Sequence, residues 1–200
     1  TGLRFGGAEK LLYLTCKYLQ RGYESRVKIV YFDPYAPMKK LFDEAGLMTE
    51  LIPINLLIIP RLIRLIAEGN YQIIHTHLIH ADIIGRTAAI CTRLFHKYQI
   101  FTTVHDVGLF RWYPRFFFRI VRCIDRMQSC PRYSHVIAIS QSVREILILN
   151  EHIKSHKIEV LYNAVEIPET LTRKNETGVK IRCLYIGRLV KEKNLPCLLE

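Results

Sequence analysis

The sequence has no Walker loop and no G-x-G-x-x-G fingerprint, which removes the best sequence evidence for an NTPase or a dehydrogenase. It has no G-x-S-x-G elbow, and no nucleophile–base pair can be read from spacing. Its six cysteines, Cys16, Cys91, Cys123, Cys130, Cys183 and Cys197, form no C-x-x-C pair and follow no regular spacing. Most stand among apolar neighbours and read as reduced core thiols of a cytosolic protein. Long hydrophobic runs are missing too. The longest apolar stretch, residues 51–60, contains Asn55 and two prolines and is too short to span a bilayer. No signal peptide is legible at the start, and there is no internal repeat or low-complexity segment. Acidic residues are in short supply, with 18 Asp and Glu against 29 Lys and Arg, a net charge of +11. That balance suits an anionic partner, whether nucleic acid, a membrane surface or a phosphorylated substrate, without choosing among them.

What is present is a globular pattern. The chain has 200 residues, half of them apolar, enough for one buried core and a piece of a second domain. It begins at Thr1 and ends at Glu200 within a helical pattern, so both ends read as cut. Helix and strand alternate along it. Ala8, Leu11, Leu12, Thr15, Cys16 and Leu19 fall at helical spacing, with Gly22 as a stop. Strands are expected over residues 26–32, 71–75, 100–104, 135–139 and 158–161, with a shorter one at Leu51 and Ile52. Helices are expected over residues 39–45, 56–68, 82–95 and 114–127. In the third of these, Ile84, Ala88, Cys91 and Phe95 make the apolar stripe. Ser140 opens a further helix, and the capping-box spacing from Ser142 to Glu145 shifts its start slightly. Residues 166–178 are polar and aperiodic and read as a linker. A strand at residues 179–186, a loop at 187–193 and a helix start at 194–200 follow. The alternation implies a Rossmann-like doubly wound parallel sheet, in which ligands bind at the carboxyl ends of the strands.

Five segments carry the chemistry. Gly6-Gly7-Ala8-Glu9 opens a helix with two side-chain-free residues, either a phosphate cradle or a simple turn. His75-Thr76-His77, with His80 close behind, ends a strand, and period two puts His75 and His77 on one face. Three close histidines could bind zinc, but no cysteine or carboxylate cluster accompanies them, so a packed histidine beside one at the cleft rim is preferred. His105, after an apolar strand and beside Asp106, stands at the cleft edge, where an imidazole can meet a substrate hydroxyl or simply fix a loop. Arg188 and Lys193 flank a strand-end loop suited to a diphosphate or to plain solvation. Finally, Arg115, Arg119, Arg122 and Arg126 recur at helical spacing among aromatics. They form the basic face of a core helix or of one lying on an anionic membrane.

The order of these segments resembles family 4 glycosyltransferases of the GT-B architecture, across essentially the whole chain. Gly6-Gly7-Ala8-Glu9 is similar to the first-loop motif of that family. Residues 71–77, continuing to Gly85-Arg86, resemble its "D-I-V-H-x-H … G-R" segment. Val136 to Ser140, then Val143-Arg144-Glu145, resemble "I-I-A-V-S … V-R-E". Residues 157–163 resemble "K-I-x-V-I-x-N-G-V-D", and Gly187-Arg188-Leu189 with Lys193-Asn194 resembles "G-R-L-x-x-x-K-N". The resemblance implies an N-terminal acceptor-side domain at residues 1–165, a linker at 166–178 and the beginning of a nucleotide-sugar-binding domain at 179–200. It implies a retaining transfer of sugar from a UDP- or GDP-sugar, with no cofactor and no obligatory metal. Gly6 and Gly7 would hold the donor diphosphate together with Arg188 and Lys193. His105 would be the catalytic residue beside the sugar, and His77, Asp106 and Arg86 would line the acceptor-side cleft. Expected partners are the nucleotide-sugar, a glycan or polyprenyl-linked acceptor and an anionic membrane surface, but not nucleic acid. The expected location is cytoplasmic, peripheral on the inner face of the membrane, in cell-surface polysaccharide or lipopolysaccharide synthesis.

The chain departs from the pattern in places. Ala164 and Glu166 stand where the interdomain motif has glycine and aspartate, and the carboxylate pair that grips the donor falls beyond Glu200. A central strand is expected before Thr1; without it two strands would lack a pairing partner, and residues 1–200 alone would be inactive and poorly stable. Two other readings share parts of this logic: a non-enzymatic basic module binding membrane or nucleic acid, and a GT-B sugar-nucleotide epimerase.

Overall fold

The computed structural model describes residues 2–93, 95–105, 115–167, 184–185 and 196–199. The chain divides into two compact units, Thr1–Val165 and Glu166–Glu200. In the second unit a short helix, Pro196–Leu199, is described. The strand and loop expected over residues 179–193 fall largely outside the described residues.

In the first unit helices and strands alternate: α1 Gly7–Gly22, β1 Lys28–Tyr31, α2 Lys39–Glu44, β2 Met48–Leu51, α3 Ile58–Gly69, β3 Ile73–His77, α4 Ile79–Thr92, β4 Gln99–Val104, α5 Arg115–Ser129, β5 Ser134–Ala138, α6 Gln141–Leu149 and, after a 3-10 turn, β6 Ile158–Val160. Every strand pairing is parallel. β1 pairs with β2, and β3-β4-β5-β6 form a second ribbon in that order. Parallel neighbours need a crossover, and a helix supplies it each time.

Strand period two sorts the core. Ile29 and Tyr31 pack with Tyr13, Leu14 and Cys16 of α1 and Phe42 of α2. Val30 and Phe32 point the other way, into a cluster with Leu62 and Ile66 of α3, Ala88 and Ala89 of α4, and Ile100 of β4. Helices therefore cover both faces of the sheet at β1, which defines the doubly wound α/β class. A third cluster joins Val136 and Ala138 of β5 to Val143 and Leu147 of α6.

Helix ends follow local chemistry. Asn70 closes α3 in the left-handed region at φ 46°, a conformation asparagine tolerates. The Ser140 hydroxyl accepts the Val143 N–H at 3.2 Å and caps α6. The cap is thus Ser140, and the capping-box spacing at Ser142 does not move the start. The α4 stripe also differs from expectation. Its buried residues are Asp82, Arg86, Ala88, Ala89 and Thr92, while Cys91 is exposed, because polar partners pull that side inward. Among the described cysteines only Cys16 is core, where burial raises its thiol to about 11; Cys91, Cys123, Cys130 and Cys197 are exposed.

β1 and β3 share no hydrogen bonds. A cavity of about 760 Å³ runs between them, lined by both strands and by α1 residues including Leu12 and Cys16. The chain enters beside it at Leu3, which is buried and whose carbonyl accepts the Met38 N–H at 2.9 Å. None of the described helices is long and apolar enough to cross a membrane.

Candidate functional site

Ala8 and Glu9 in the first turn of α1 and His77 at the carboxyl end of β3 all line that cavity. Gly6 is the N-cap of α1 in extended conformation, and no side chain caps the helix. The first-turn amides are therefore not engaged by a side-chain cap, and they carry the positive end of the helix dipole. The two glycines differ. A Cβ at Gly6 would meet the Glu9 carboxylate, whereas a Cβ on Gly7 would meet nothing within 4 Å. Packing does not require glycine at position 7, and neither does a left-handed φ. What its missing side chain leaves open is close approach to the helix N-terminus from outside.

The other half of the site is a file of imidazoles. β3 and β4 are in register with His75 opposite Phe101 and His77 opposite Thr103. His75 Nε2 and Thr103 Oγ1 are hydrogen-bonded at 2.8 Å. His77 Nδ1 meets Nε2 of His105, one residue past β4, at 3.0 Å. The His75 and His77 rings lie 4.2 Å apart, centroid to centroid, and those of His77 and His105 5.3 Å apart. Burial disfavours charge on all three, and like charge nearby adds to this for His75 and His77. His75 is held down to about 4, His77 well below the ordinary range, and His105 below it through burial. At neutral pH all three are uncharged. Among the described residues no group of three or more His, Cys, Asp or Glu is arranged to hold a metal ion.

Between β3 and α4 stands Leu78, at φ 69° and ψ 144°. Positive φ with extended ψ is close to glycine-only territory and costs of order 1–3 kcal/mol for a leucine. The strain sits directly after His77, at the turn that aims its ring.

Arg86 is elsewhere. It was expected in the acceptor-side cleft, but its side chain is 0% exposed and lies inside the protein. Nη2 donates to Asp82 at 2.7 Å and also to Asp125, and Nη1 donates to Ser129 Oγ at 2.9 Å. Asp82 Oδ1 in turn accepts from Thr76 at 2.6 Å and from Thr102. Burial opposes the guanidinium charge, and the two carboxylates hold it. Arg86 thus ties α4 to α5 and to the β3–β4 strands and offers no face to a ligand. The Asp82–Arg86 spacing of four is readable on a helix; Asp125, 39 residues away from Arg86, is not. Sequence reasoning also missed Thr103 and Leu78, since neither register nor backbone strain shows in composition. Asp106, Arg188 and Lys193 lie outside the described residues.

The Glycosyltransferase Family 4 model matches residues 5–168, and the chain belongs to that family. Solved structures agree on the fold. Anabaena Alr3699/HepE, crystallised in complex with UDP, superposes with a TM-score of 0.63 at 19% identity, over 82% of this chain and 42% of that one. A glycosyltransferase from Rickettsia africae ESF-5 gives 0.60 at 20% identity, over 81% and 41%. The apo form of WaaB, a lipopolysaccharide outer core galactosyltransferase, gives 0.61 at 16% identity, over 88% and 48%. The chain thus spans less than half the length of these structures. No curated protein matches the sequence.

Proposed function

We propose that the protein transfers a sugar from a nucleotide-sugar to a glycan or polyprenyl-linked acceptor, with retention of configuration, in the synthesis of cell-surface polysaccharide or lipopolysaccharide. The observation that carries this is Gly7, a helix-opening glycine that packing does not demand, on a helix whose next residues share a cavity with His75 and His77. HepE binds UDP and UDP-glucose, which supports a uridine or similar diphosphate as the leaving group. The amides at Gly6 and Gly7 hold the diphosphate, with Arg188 and Lys193 adding positive charge as the leaving group departs. His105 lies beside the transferred sugar and orients a hydroxyl of the sugar or acceptor. His77 and Asp106 belong to the acceptor side. No cofactor and no metal take part in this scheme.

α5 supports attachment to an anionic membrane from the cytoplasmic side. Its exposed residues include Ile120, Ile124 and Met127, alternating with exposed Arg119 and Arg126. Apolar side chains ringed by arginine suit a lipid headgroup boundary.

The test is Gly7→Val in the full-length protein. A side chain here obstructs the diphosphate, and its Cβ meets nothing within 4 Å in the fold. KM for the nucleotide-sugar should rise at least about tenfold, roughly 1.4 kcal/mol of binding, while the thermal midpoint holds or rises. Unchanged KM would remove the diphosphate from α1.

A further inference from the structure

We propose that His77 is a positioning residue for His105, fixing the rotation and the tautomer of its imidazole. The inference rests on the reading that places His105 beside the transferred sugar, and it adds the element that makes that ring a defined group.

The argument starts from two nitrogens 3.0 Å apart, His77 Nδ1 and His105 Nε2. Two imidazoles can share a hydrogen bond in that geometry only if one nitrogen carries a hydrogen and the other does not. The protonation states of the facing atoms are therefore opposite, and each neutral ring carries a single N–H. If His77 donates, His105 accepts at Nε2 and must carry its hydrogen on Nδ1. If His105 donates, its Nδ1 is bare. Either way the character of the nitrogen that His105 has left for a ligand, hydrogen-bond donor or acceptor, is tied to the tautomer of His77. A free histidine would present a mixture.

Rotation is settled by the same contact. His105 lies one residue beyond β4, where the strand ladder no longer holds it. His77 is the last residue of β3 and is paired in register with Thr103. Its own ring is packed against His75, whose Nε2 is bonded to Thr103. Leu78, in its strained conformation, fixes the turn that follows. A rigid histidine thus braces a less constrained one. Burial and mutual repulsion discourage a charge on any ring of the file, so the bond is not broken by protonation near neutral pH.

The experiment compares His77→Phe and His77→Asn in full-length protein. Phenylalanine keeps the ring shape but has no nitrogen. Asparagine can place an amide near the position of Nδ1. The first readout needs no substrate: imidazole nitrogen chemical shifts of His105 report its tautomer. Wild type should show one neutral tautomer, His77→Phe a mixture, and His77→Asn a single tautomer again. The second readout is kinetic. His77→Phe should lower kcat about tenfold or more with KM for the nucleotide-sugar within about twofold, a loss confined to the transition state, and His77→Asn should recover most of it. If His105 has the same nitrogen shifts in His77→Phe as in wild type, the proposal is wrong, whatever the activity. If His105→Ala leaves kcat unchanged, the sugar-side reading fails instead, and the shifts still decide the coupling between the rings.

Discussion

Two polar clusters lie side by side near the ends of β3 and β4, and they are built on opposite rules. In one, Arg86 is enclosed by Asp82, Asp125 and Ser129, with Thr76 and Thr102 completing the coordination of Asp82. The guanidinium there faces two carboxylates, so it can remain ionised out of water. In the other, His75 is bonded to Thr103 and His77 to His105. Among the described residues no counter-charge is in hydrogen-bond contact with them, so they remain neutral and keep hydrogen-bonding capacity unspent. The first cluster holds elements together. The second is left with something to give a ligand. Polar burial alone therefore does not mark a candidate site; buried groups with hydrogen-bonding capacity left over make one.

The strongest way to break this comparison is Arg86→Met. Two carboxylates would be stranded in the interior, and unfolding free energy should fall by about 3–5 kcal/mol, measured by urea titration of the full-length protein. A loss under about 1 kcal/mol would mean that Arg86 is not the clamp between α4 and α5. A smaller effect sharpens the other side. The three histidines have folded pKa values below the ordinary 6.5, with His75 at about 4. Between those limits the unfolded chain takes up protons that the folded chain refuses. Stability from this cluster is then complete above about pH 6.5–7 and is lost as the pH falls from 6.5 toward 4. The slope is up to about 1.4 kcal/mol per pH unit for each histidine. His75→Phe should flatten the curve, and an equally steep curve in that variant would place the effect elsewhere. The mildest change is Ser140→Ala, outside both clusters. It removes the α6 cap and should cost about 1 kcal/mol at every pH, a baseline against which the pH-dependent loss can be judged.

The alternation of elements was legible because apolar periodicity switches between 2 and 3.6 along the chain, and each segment named from it in the first unit has its counterpart. Boundaries slipped where side chains compete for the same burial. β3 runs over Ile73–His77 instead of residues 71–75, because its pairing with β4 extends to the two histidines. α4 begins at Ile79, ahead of the expected Asp82, since a strained Leu78 makes the turn in a single residue. Its stripe was misjudged because Asp82, Arg86 and Thr92 look like a wet face until Asp125 and Ser129 arrive from distant sequence and Tyr98 from the next strand's approach. For the site, Gly6, Gly7, His77 and His105 were legible from their position at element ends. The bond between His77 and His105 was not, since only the parallel register of β3 and β4 brings them together.

Leu78 has one more consequence. A backbone held in a narrow, unfavourable well resists small displacement, so the wall of the pocket carrying His77 is stiff. A ligand meeting that wall would have to adapt its own shape to it.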